Sequence, residues 1–271
     1  MIAWLLALAL AAPAGTPAPE PKGAPGSNTA SKPARWRTSI DATTLAKSGD
    51  LNITVTLRGF DELDAVCLDM PRAAASVQDL TIVGGEKLPV DPDDANCFPL
   101  PDKRPSPLVV RYRFELKSLA SRTGDPDWAS RGPGGDYVFN EESVLLRPEP
   151  MPLHEPREIE VVLAPGQRVA PPWTKAASAR PDAAQFTTNA DQYDAGSYIA
   201  LGNLTFLDDV QMPVGAYGVT LLSGPVRVPY SVLRGWVATA GRAVSDFYGG
   251  VPGGRAHVIL MPEPGSKDGG L

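Results

Sequence analysis

Hydrophobic and polar residues alternate along several short segments of the chain. Over residues 51–57 and again over residues 108–116, every second residue is apolar and most of the residues between them are polar. This period of two places the apolar side chains on one face of a β-strand. Shorter apolar runs bounded by turn-forming residues predict further strands at residues 66–70, 80–83, 144–146, 159–163, 198–206 and 217–222. The pattern predicts a mainly β fold, either an antiparallel β-sandwich or a curved sheet of similar content.

Apolar residues change to helical spacing after residue 229. Pro229 suits the first turn of a helix, and Gly249 and Gly250 stand where that helix would end. The apolar residues at this spacing are Val232, Leu233, Trp236, Val237, Ala240, Val244 and Phe247. A short apolar run at residues 256–261 then predicts a strand. This helix and strand differ from everything before them, and they look like the start of a second domain.

Residues 1–14 form an apolar run that is shorter than the roughly 20 residues of a membrane span. The small residues Ala12 and Ala14 suit a cleavage site, with Ala18 as a second candidate, although no basic residue precedes the apolar core. We therefore interpret residues 1–14 as the signal peptide of a protein exported to the periplasm or the extracellular space. Residues 15–35 are rich in Pro, Ala, Gly and Ser, which predicts a disordered linker.

The β-rich domain is expected to extend over residues 36–228. A second Pro- and Ala-rich stretch, residues 164–184, interrupts the strand pattern within it. A long surface loop, a subdomain boundary or an insertion would each account for this composition.

Composition excludes some partners and leaves the redox state of the cysteines open. The formal net charge is -6 and the acidic residues are scattered, so the basic face that binds nucleic acid is not expected. The two cysteines, Cys67 and Cys97, could close a disulfide in an oxidising compartment or could be two unrelated buried thiols. Their spacing does not decide between these alternatives.

Candidate chemistry is sparse. Residues 154–158 resemble the zinc-binding His-Glu-x-x-His pattern, but a Glu replaces the second His and Pro156 would break the helix. His257 is expected to be a half-buried strand residue. The acidic loop of Asp91, Asp93 and Asp94 lacks the Gly and the distal Glu of a calcium loop and is interpreted as a solvated loop. The sequence therefore indicates no catalytic, cofactor-binding or metal-binding residue. The glycine clusters are expected to form turns, at residues 84–85, 132–135 and 249–254.

Three segments carry a resemblance to a known family: residues 137–148 (YVFNEESVLLRP), 207–213 (LDDVQMP) and 236–252 (WVATAGRAVSDFYGGVP). The chain resembles the N-terminal portion of the glycyl-aminopeptidase-like zinc metallopeptidases, a gluzincin family in which a β-rich domain precedes a thermolysin-like catalytic domain. The resemblance implies that residues 229–271 are the incomplete start of that catalytic domain. It also implies that the zinc ligands and the general base lie beyond this region, so zinc is expected only in a full-length relative and no site residue transfers to this chain.

The preferred hypothesis is a non-catalytic N-terminal region that scaffolds a metallopeptidase catalytic domain absent from this chain, with that domain or a peptide substrate as its partner. It predicts that the apolar face of the helix and the edge of the strand at residues 256–261 lack partners. The alternative is a complete secreted β-sandwich module that binds a saccharide or a protein, with Trp128, Tyr137 and Trp173 as candidates for exposed binding residues. The favoured interpretation of these three aromatic residues is that they fill the core. A hydrolase with an unrecognised site is a third interpretation.

Overall fold

The computed structural model describes residues 6–9, 35–60, 62–70, 73–122, 128–152, 155–178, 180–189 and 197–262. The strands of the first half are β1 (Leu6–Ala9), β2 (Arg35–Asp41), β3 (Leu51–Arg58), β4 (Ala65–Cys67), β5 (Val77–Ile82), β6 (Cys97–Pro99), β7 (Leu108–Phe114), β8 (Ala129–Arg131) and β9 (Tyr137–Asn140). Those of the second half are β10 (Arg147–Glu149), β11 (Pro156–Val162), β12 (Arg168–Ala170), β13 (Thr174–Ala176), β14 (Ala183–Asn189), β15 (Tyr198–Gly202), β16 (Thr205–Gln211), β17 (Ala216–Leu221) and β18 (Arg255–Leu260). The α-helices are α1 (Leu45–Ser48), α2 (Leu116–Arg122), α3 (Glu141–Val144) and α4 (Tyr230–Tyr248).

The largest sheet has seven strands in the order β13-β14-β11-β2-β3-β7-β5. All of its neighbouring strands are antiparallel except β11 and β2, which run parallel. The two strands with the clearest alternation, β3 and β7, lie side by side, and their pairing sets Val55 opposite Val110. Because both strands follow the period of two, this register places all their apolar side chains on one face.

The molecule is built in layers. A four-stranded sheet, β12-β15-β9-β8, packs on the apolar face of the seven-stranded sheet. Alternate residues of β9 point to opposite sides, so Phe139 joins the large core while Val138 packs on the other side against Ile259. A further sheet, β1-β18-β17-β16, forms the third layer, and α4 covers its far face through Leu233 and Val237. The predicted mainly β fold with packed antiparallel sheets and a C-terminal helix and strand is confirmed.

We refer to strands β2 to β15 with helices α1 to α3 as the β-rich region, and to β16, β17, α4 and β18 as the α4 unit. The α4 unit requires a glycine where its helix crosses its sheet. A Cβ atom at Gly241 would lie 2.6 Å from the ring of Tyr217, so only glycine lets the helix approach this closely. The Tyr217 hydroxyl donates a hydrogen bond to the carbonyl of Gly241 at 3.3 Å.

Two predictions about local structure were wrong. The run at residues 144–146 is not a strand, because Val144 ends helix α3. The Asn140 side chain caps that helix by accepting a hydrogen bond from the backbone N–H of Glu142 at 2.9 Å. Residues 164–184 are not one long surface loop. They contain β12 and β13, whose backbones are satisfied by pairing with β15 and β14.

The chain before Arg35 is described only at residues 6–9. These residues form β1, which pairs antiparallel with β18, with Leu6 opposite Leu260 and Ala9 opposite His257. The rest of the predicted signal peptide, and the predicted linker up to residue 34, lie outside the described residues. Among the helices that are described, none is long and apolar enough to cross a membrane.

Candidate functional site

The two cysteines form a disulfide. The Sγ atoms of Cys67 and Cys97 are 2.10 Å apart. The residues face each other on the adjacent strands β4 and β6, which belong to a small sheet of order β10-β4-β6. This bond fastens the sheet that closes one side of the large core, and it leaves neither thiol to act as a nucleophile or a metal ligand.

The three aromatic residues that the binding-module alternative requires at the surface are not exposed. Tyr137 and Trp173 are buried in the large core, and the half-buried Trp128 packs against it. The structure thus agrees with the interpretation in which these rings fill the core. They fill space between the two sheets of the β-rich region.

In the acidic loop, the carboxylates of Asp91 and Asp94 accept hydrogen bonds from backbone N–H groups two or three residues further along the chain. Asp91 accepts hydrogen bonds from the backbone N–H groups of Asp93 at 2.8 Å and Asp94 at 3.4 Å, and Asp94 accepts one from Asn96 at 3.0 Å. These are short-range bonds of the kind that shape turns.

The described residues do not fit a zinc ion. They contain no group of three or more His, Cys, Asp or Glu side chains that could hold a metal. His154 lies outside the described residues, and Glu158 is on strand β11 and not on a helix. Nε2 of the half-buried His257 shares a hydrogen bond of 2.6 Å with the hydroxyl of Thr220. We therefore derive no metal-dependent step from these side chains.

A buried polar network lies between the two sheets of the β-rich region. Nη1 of Arg157 donates to Glu141 Oε1 at 2.5 Å, and the indole N–H of Trp173 donates to Glu141 Oε2 at 2.7 Å. Nε and Nη2 of Arg157 both donate to the Thr38 hydroxyl, at 3.2 and 3.1 Å. The guanidinium also lies 4.5 Å from the ring of Trp36. Every part of the ion pair is therefore engaged, as a buried pair requires.

Burial dominates the electrostatics of this network. Removal from water raises the pKa of Glu141, while the charge of Arg157 and the hydrogen bonds from Trp173 and Arg157 act in the opposite direction. The network joins β11 and β2 to helix α3 and to the segment between β12 and β13. The hydrogen bond from Trp173 to Glu141 holds the indole ring in one orientation, and this ring lines a cavity.

A second buried carboxylate links the β-rich region to the α4 unit. Asp136 Oδ1 accepts from the backbone N–H of Asn203 at 2.7 Å, and Oδ2 accepts from the N–H and the hydroxyl of Ser223 at 2.6 and 2.5 Å. Gly202 makes this approach possible, because a Cβ atom there would collide with the carboxylate. Three separate turns, before β9, after β15 and after β17, are thereby held at one point.

Helix α4 leaves a wide apolar surface uncovered. Leu233 and Val237 pack on the sheet, but Trp236 is 47% exposed and Phe247 is 81% exposed. We call the surface formed by Val232, Trp236 and Phe247 the α4 face, because helical spacing places these three exposed side chains on the same side of the helix. Of the apolar residues predicted at helical spacing, Val232, Trp236 and Phe247 are exposed, whereas Leu233 and Val237 are buried. The predicted free edge on β18 is not present in the full chain, because β1 pairs with that edge. Removal of residues 1–14 by signal cleavage would expose it.

A cavity of about 660 Å³ opens where the β-rich region meets the α4 unit. Its walls come from strands β12, β13 and β14 on one side and from β16 and β18 on the other, with Trp173 and Phe186 facing Phe206 and His257. Burial and the neighbouring charge of Arg255 lower the pKa of His257 to about 4, so this imidazole is neutral at neutral pH.

Sequence reasoning missed the charged residues of this cavity. Arg168 and Lys175 lie in the stretch that was read as a Pro- and Ala-rich loop, and Arg255 lies at the start of β18. The alternation of Arg168, Val169 and Ala170 before a proline pair was a weak signal for a strand. A period of two over three residues is too short to identify a strand on its own.

The fold has counterparts among solved structures. An aminopeptidase N family protein from Idiomarina loihiensis is 17% identical, with a TM-score of 0.63 over 86% of this chain and 44% of that chain. An M1 zinc metallopeptidase from Deinococcus radiodurans is 16% identical over 86% of this chain and 57% of that chain, with a TM-score of 0.48. Yeast LTA4 hydrolase is 14% identical over 69% of this chain and 31% of that chain, with a TM-score of 0.42.

No protein-family model matches the chain, and no curated protein matches it. The chain spans less than half the length of the aminopeptidase N family protein. The resemblance to zinc metallopeptidases that the three sequence segments carry is confirmed as a resemblance of fold. The chain therefore has the fold of the part of an aminopeptidase N family protein that it matches.

Proposed function

We propose that this chain is the non-catalytic N-terminal region of an exported metallopeptidase-like protein, and that it scaffolds a catalytic domain formed by another part of that protein. The α4 face carries this proposal. Val232, Trp236 and Phe247 are large apolar side chains exposed on one helix, and exposed apolar surface of this kind is where another protein surface can pack. Helix α4 and strand β18 also lie in residues 229–271, which the sequence resemblance assigns to the start of the catalytic domain.

Two further observations support the proposal. The fold match extends over 44% of the aminopeptidase N family protein, which leaves room for a catalytic part in a full-length relative. The described residues also offer no zinc site, so the metal and its general base would come from elsewhere in the protein. The contribution of this chain would be to position the catalytic domain and to form one wall of the substrate cleft.

The coding DNA beyond codon 271 tests the proposal directly. We expect an open frame that encodes His-Glu-x-x-His within about a hundred codons, followed by a further Glu. The protein expressed from that longer frame should bind zinc and release amino acids from short peptides. A stop codon with no such motif nearby, or zinc-dependent peptide cleavage by residues 1–271 alone, would refute the proposal.

Export is tested separately. A secreted or periplasmic fraction should contain a protein whose first residue, read by mass spectrometry, is Gly15, or Pro19 if the second cleavage site is used. Replacing Ala12 and Ala14 with Asp should block processing at the first site. Recovery of the whole chain from the cytoplasm, with Met1 retained, would show that residues 1–14 are not a signal peptide.

The binding-module alternative is not supported in the form in which it was stated. It relied on exposed aromatic side chains, and the structure buries Tyr137 and Trp173. The α4 face is apolar and convex, which suits a protein surface better than a saccharide.

A further inference from the structure

The cavity between the β-rich region and the α4 unit is bordered by two sheet edges. Strand β12 is the outer strand of the four-stranded sheet, and β13 is the outer strand of the seven-stranded sheet. Both strands line the cavity. The outer strand of a sheet presents backbone N–H and C=O groups that an extended peptide can pair with. The cavity thus offers main-chain hydrogen bonding along one wall.

The charged residues in the described lining of the cavity are all basic. Arg168, Lys175 and Arg255 contribute to the lining, and none of the described lining residues is acidic. Arg255 is already paired, because its Nη1 and Nη2 donate to the carboxylate of Asp209 at 2.8 and 3.2 Å. The guanidinium of Arg168 lies 5.5 Å from the ring of Phe206, which orients it across the opening. Arg168 and Lys175 are therefore the cations suited to receive an anionic group of a ligand.

The inner surface is apolar and aromatic. Trp173 and Phe186 lie with their ring centroids 5.7 Å apart, and Pro171 and Pro172 extend the same wall. Trp173 is held in place by its bond to the buried Glu141. The wall is therefore preorganised, and an apolar side chain entering the cavity would not have to order it.

We infer that this cavity binds an extended peptide that carries a carboxylate next to an apolar side chain. The peptide backbone pairs with β12 or β13, the apolar side chain packs on Trp173 and Phe206, and the carboxylate bonds to Arg168 and Lys175. The choice of a peptide over another carboxylate rests on the proposed function, which it extends by naming the substrate class. The carboxylate can be a Glu or Asp side chain or the C-terminus of the peptide.

The test is calorimetric binding to the purified chain without zinc. Three acetylated pentapeptides share an Ala-Phe core: a neutral peptide with an amide end, one with a Glu side chain and an amide end, and one with a free C-terminal carboxylate. We expect at least one acidic peptide to bind about tenfold more tightly than the neutral peptide, which corresponds to one charge-assisted contact. The acidic peptide that binds more tightly identifies the source of the carboxylate.

The double variant Arg168→Gln with Lys175→Gln should lose this tenfold preference while its affinity for the neutral peptide stays the same. The matched control is Lys47→Gln with Arg242→Gln, which removes two exposed charges outside the cavity lining and should keep the preference. Equal binding of all three peptides, or an equal loss in both variants, would overturn the inference. If acidic peptides bind but the longer frame lacks His-Glu-x-x-His, the proposed function fails and the site remains. If the motif is present and no peptide binds, only the site fails.

Discussion

The β-rich region and helix α4 differ in how much of their large aromatic side chains they bury. Trp36, Tyr137 and Trp173 are buried between two sheets, whereas Trp236 and Phe247 stand on the outer surface of helix α4. The two regions belong to one chain and meet at a shared small core. The difference shows that the core between the two sheets of the β-rich region encloses its large aromatic side chains, while helix α4 carries apolar side chains that its own sheet does not cover.

The two regions also differ in the burial of an ion pair. In the β-rich region the pair of Arg157 and Glu141 is buried, and hydrogen bonds from Trp173 and to Thr38 complete it. The ion pairs of the α4 unit lie at the surface, including Arg234 with Asp208 at 3.6 Å. Exposed pairs of this kind contribute little to stability. The predictions below test whether the stability of the molecule is concentrated in the β-rich region.

The largest effect is expected from breaking the buried ion pair. Arg157→Met leaves the Glu141 carboxylate buried without its cation, which should lower the free energy of unfolding by about 3 to 5 kcal/mol. Urea unfolding followed by tryptophan fluorescence measures the loss. Arg37→Met is the control, since Arg37 pairs with Glu160 at 2.8 Å on the same sheet but is exposed, and should cost less than about 1 kcal/mol. Adding Glu141→Gln to Arg157→Met should recover part of the loss; an equal or greater loss would show that packing, and not charge, is responsible.

The next effect concerns the disulfide. Replacing both Cys67 and Cys97 with Ser should lower the free energy of unfolding by roughly 3 to 4 kcal/mol, because the bond closes a loop between residues 30 positions apart. Reduction of the native protein should give a similar loss in the same urea titration, and the reducing agent should leave the Ser variant unchanged. A reduced protein as stable as the oxidised one would mean that the small sheet is held by its packing alone.

Acidic pH should weaken the boundary between the two regions through His257. Its folded pKa of about 4 is below the unfolded value of 6.5, so the unfolded state binds more protons between these values. The contribution of His257 to stability is therefore complete above pH 6.5 and is lost as the pH falls towards 4, by about 2 to 3 kcal/mol at pH 4.5. His257→Gln should show a correspondingly smaller fall between pH 7 and pH 4.5 in urea titrations. Identical pH slopes for both proteins would contradict the lowered pKa.

The sequence predicted the helices and strands in which the hydrophobic pattern repeats over many residues. Strands β3 and β7 show the period of two over seven or more residues, and α4 has both helical spacing and end signals. The same reasoning failed for α3 and for β12, which are four and three residues long. Over so few residues, the sequence patterns of a helix and a strand cannot be distinguished. Helix α3 forms because Asn140 caps it. Strand β12 forms because it pairs with β15, which is distant in sequence.

The residues of the cavity and of the buried ion pair could not be predicted from the sequence, because they are brought together by contacts between distant segments. Arg168, Lys175 and His257 come together only because β12, β13 and β18 belong to three different sheets that meet at one cavity. Glu141 and Arg157 form a pair through the packing of helix α3 on the seven-stranded sheet. A single sequence carries no information on which distant polar residues will become neighbours. The aromatic residues were assigned to the surface in the binding-module alternative for the same reason.

The smallest effect on stability is expected at the α4 face. A small effect there would show that this surface does not belong to the core of the chain. Replacing Phe247 with Ser should change the free energy of unfolding by less than about 0.5 kcal/mol, because this side chain is 81% exposed. Self-association measured by sedimentation should nevertheless decrease, since part of the exposed apolar surface is removed. The control on the same helix is Leu233→Ala, which should cost about 2 kcal/mol or more because Leu233 is fully buried. If the Ser variant were as unstable as Leu233→Ala, the α4 face would belong to the core of this chain, and the contrast between the two regions would be lost.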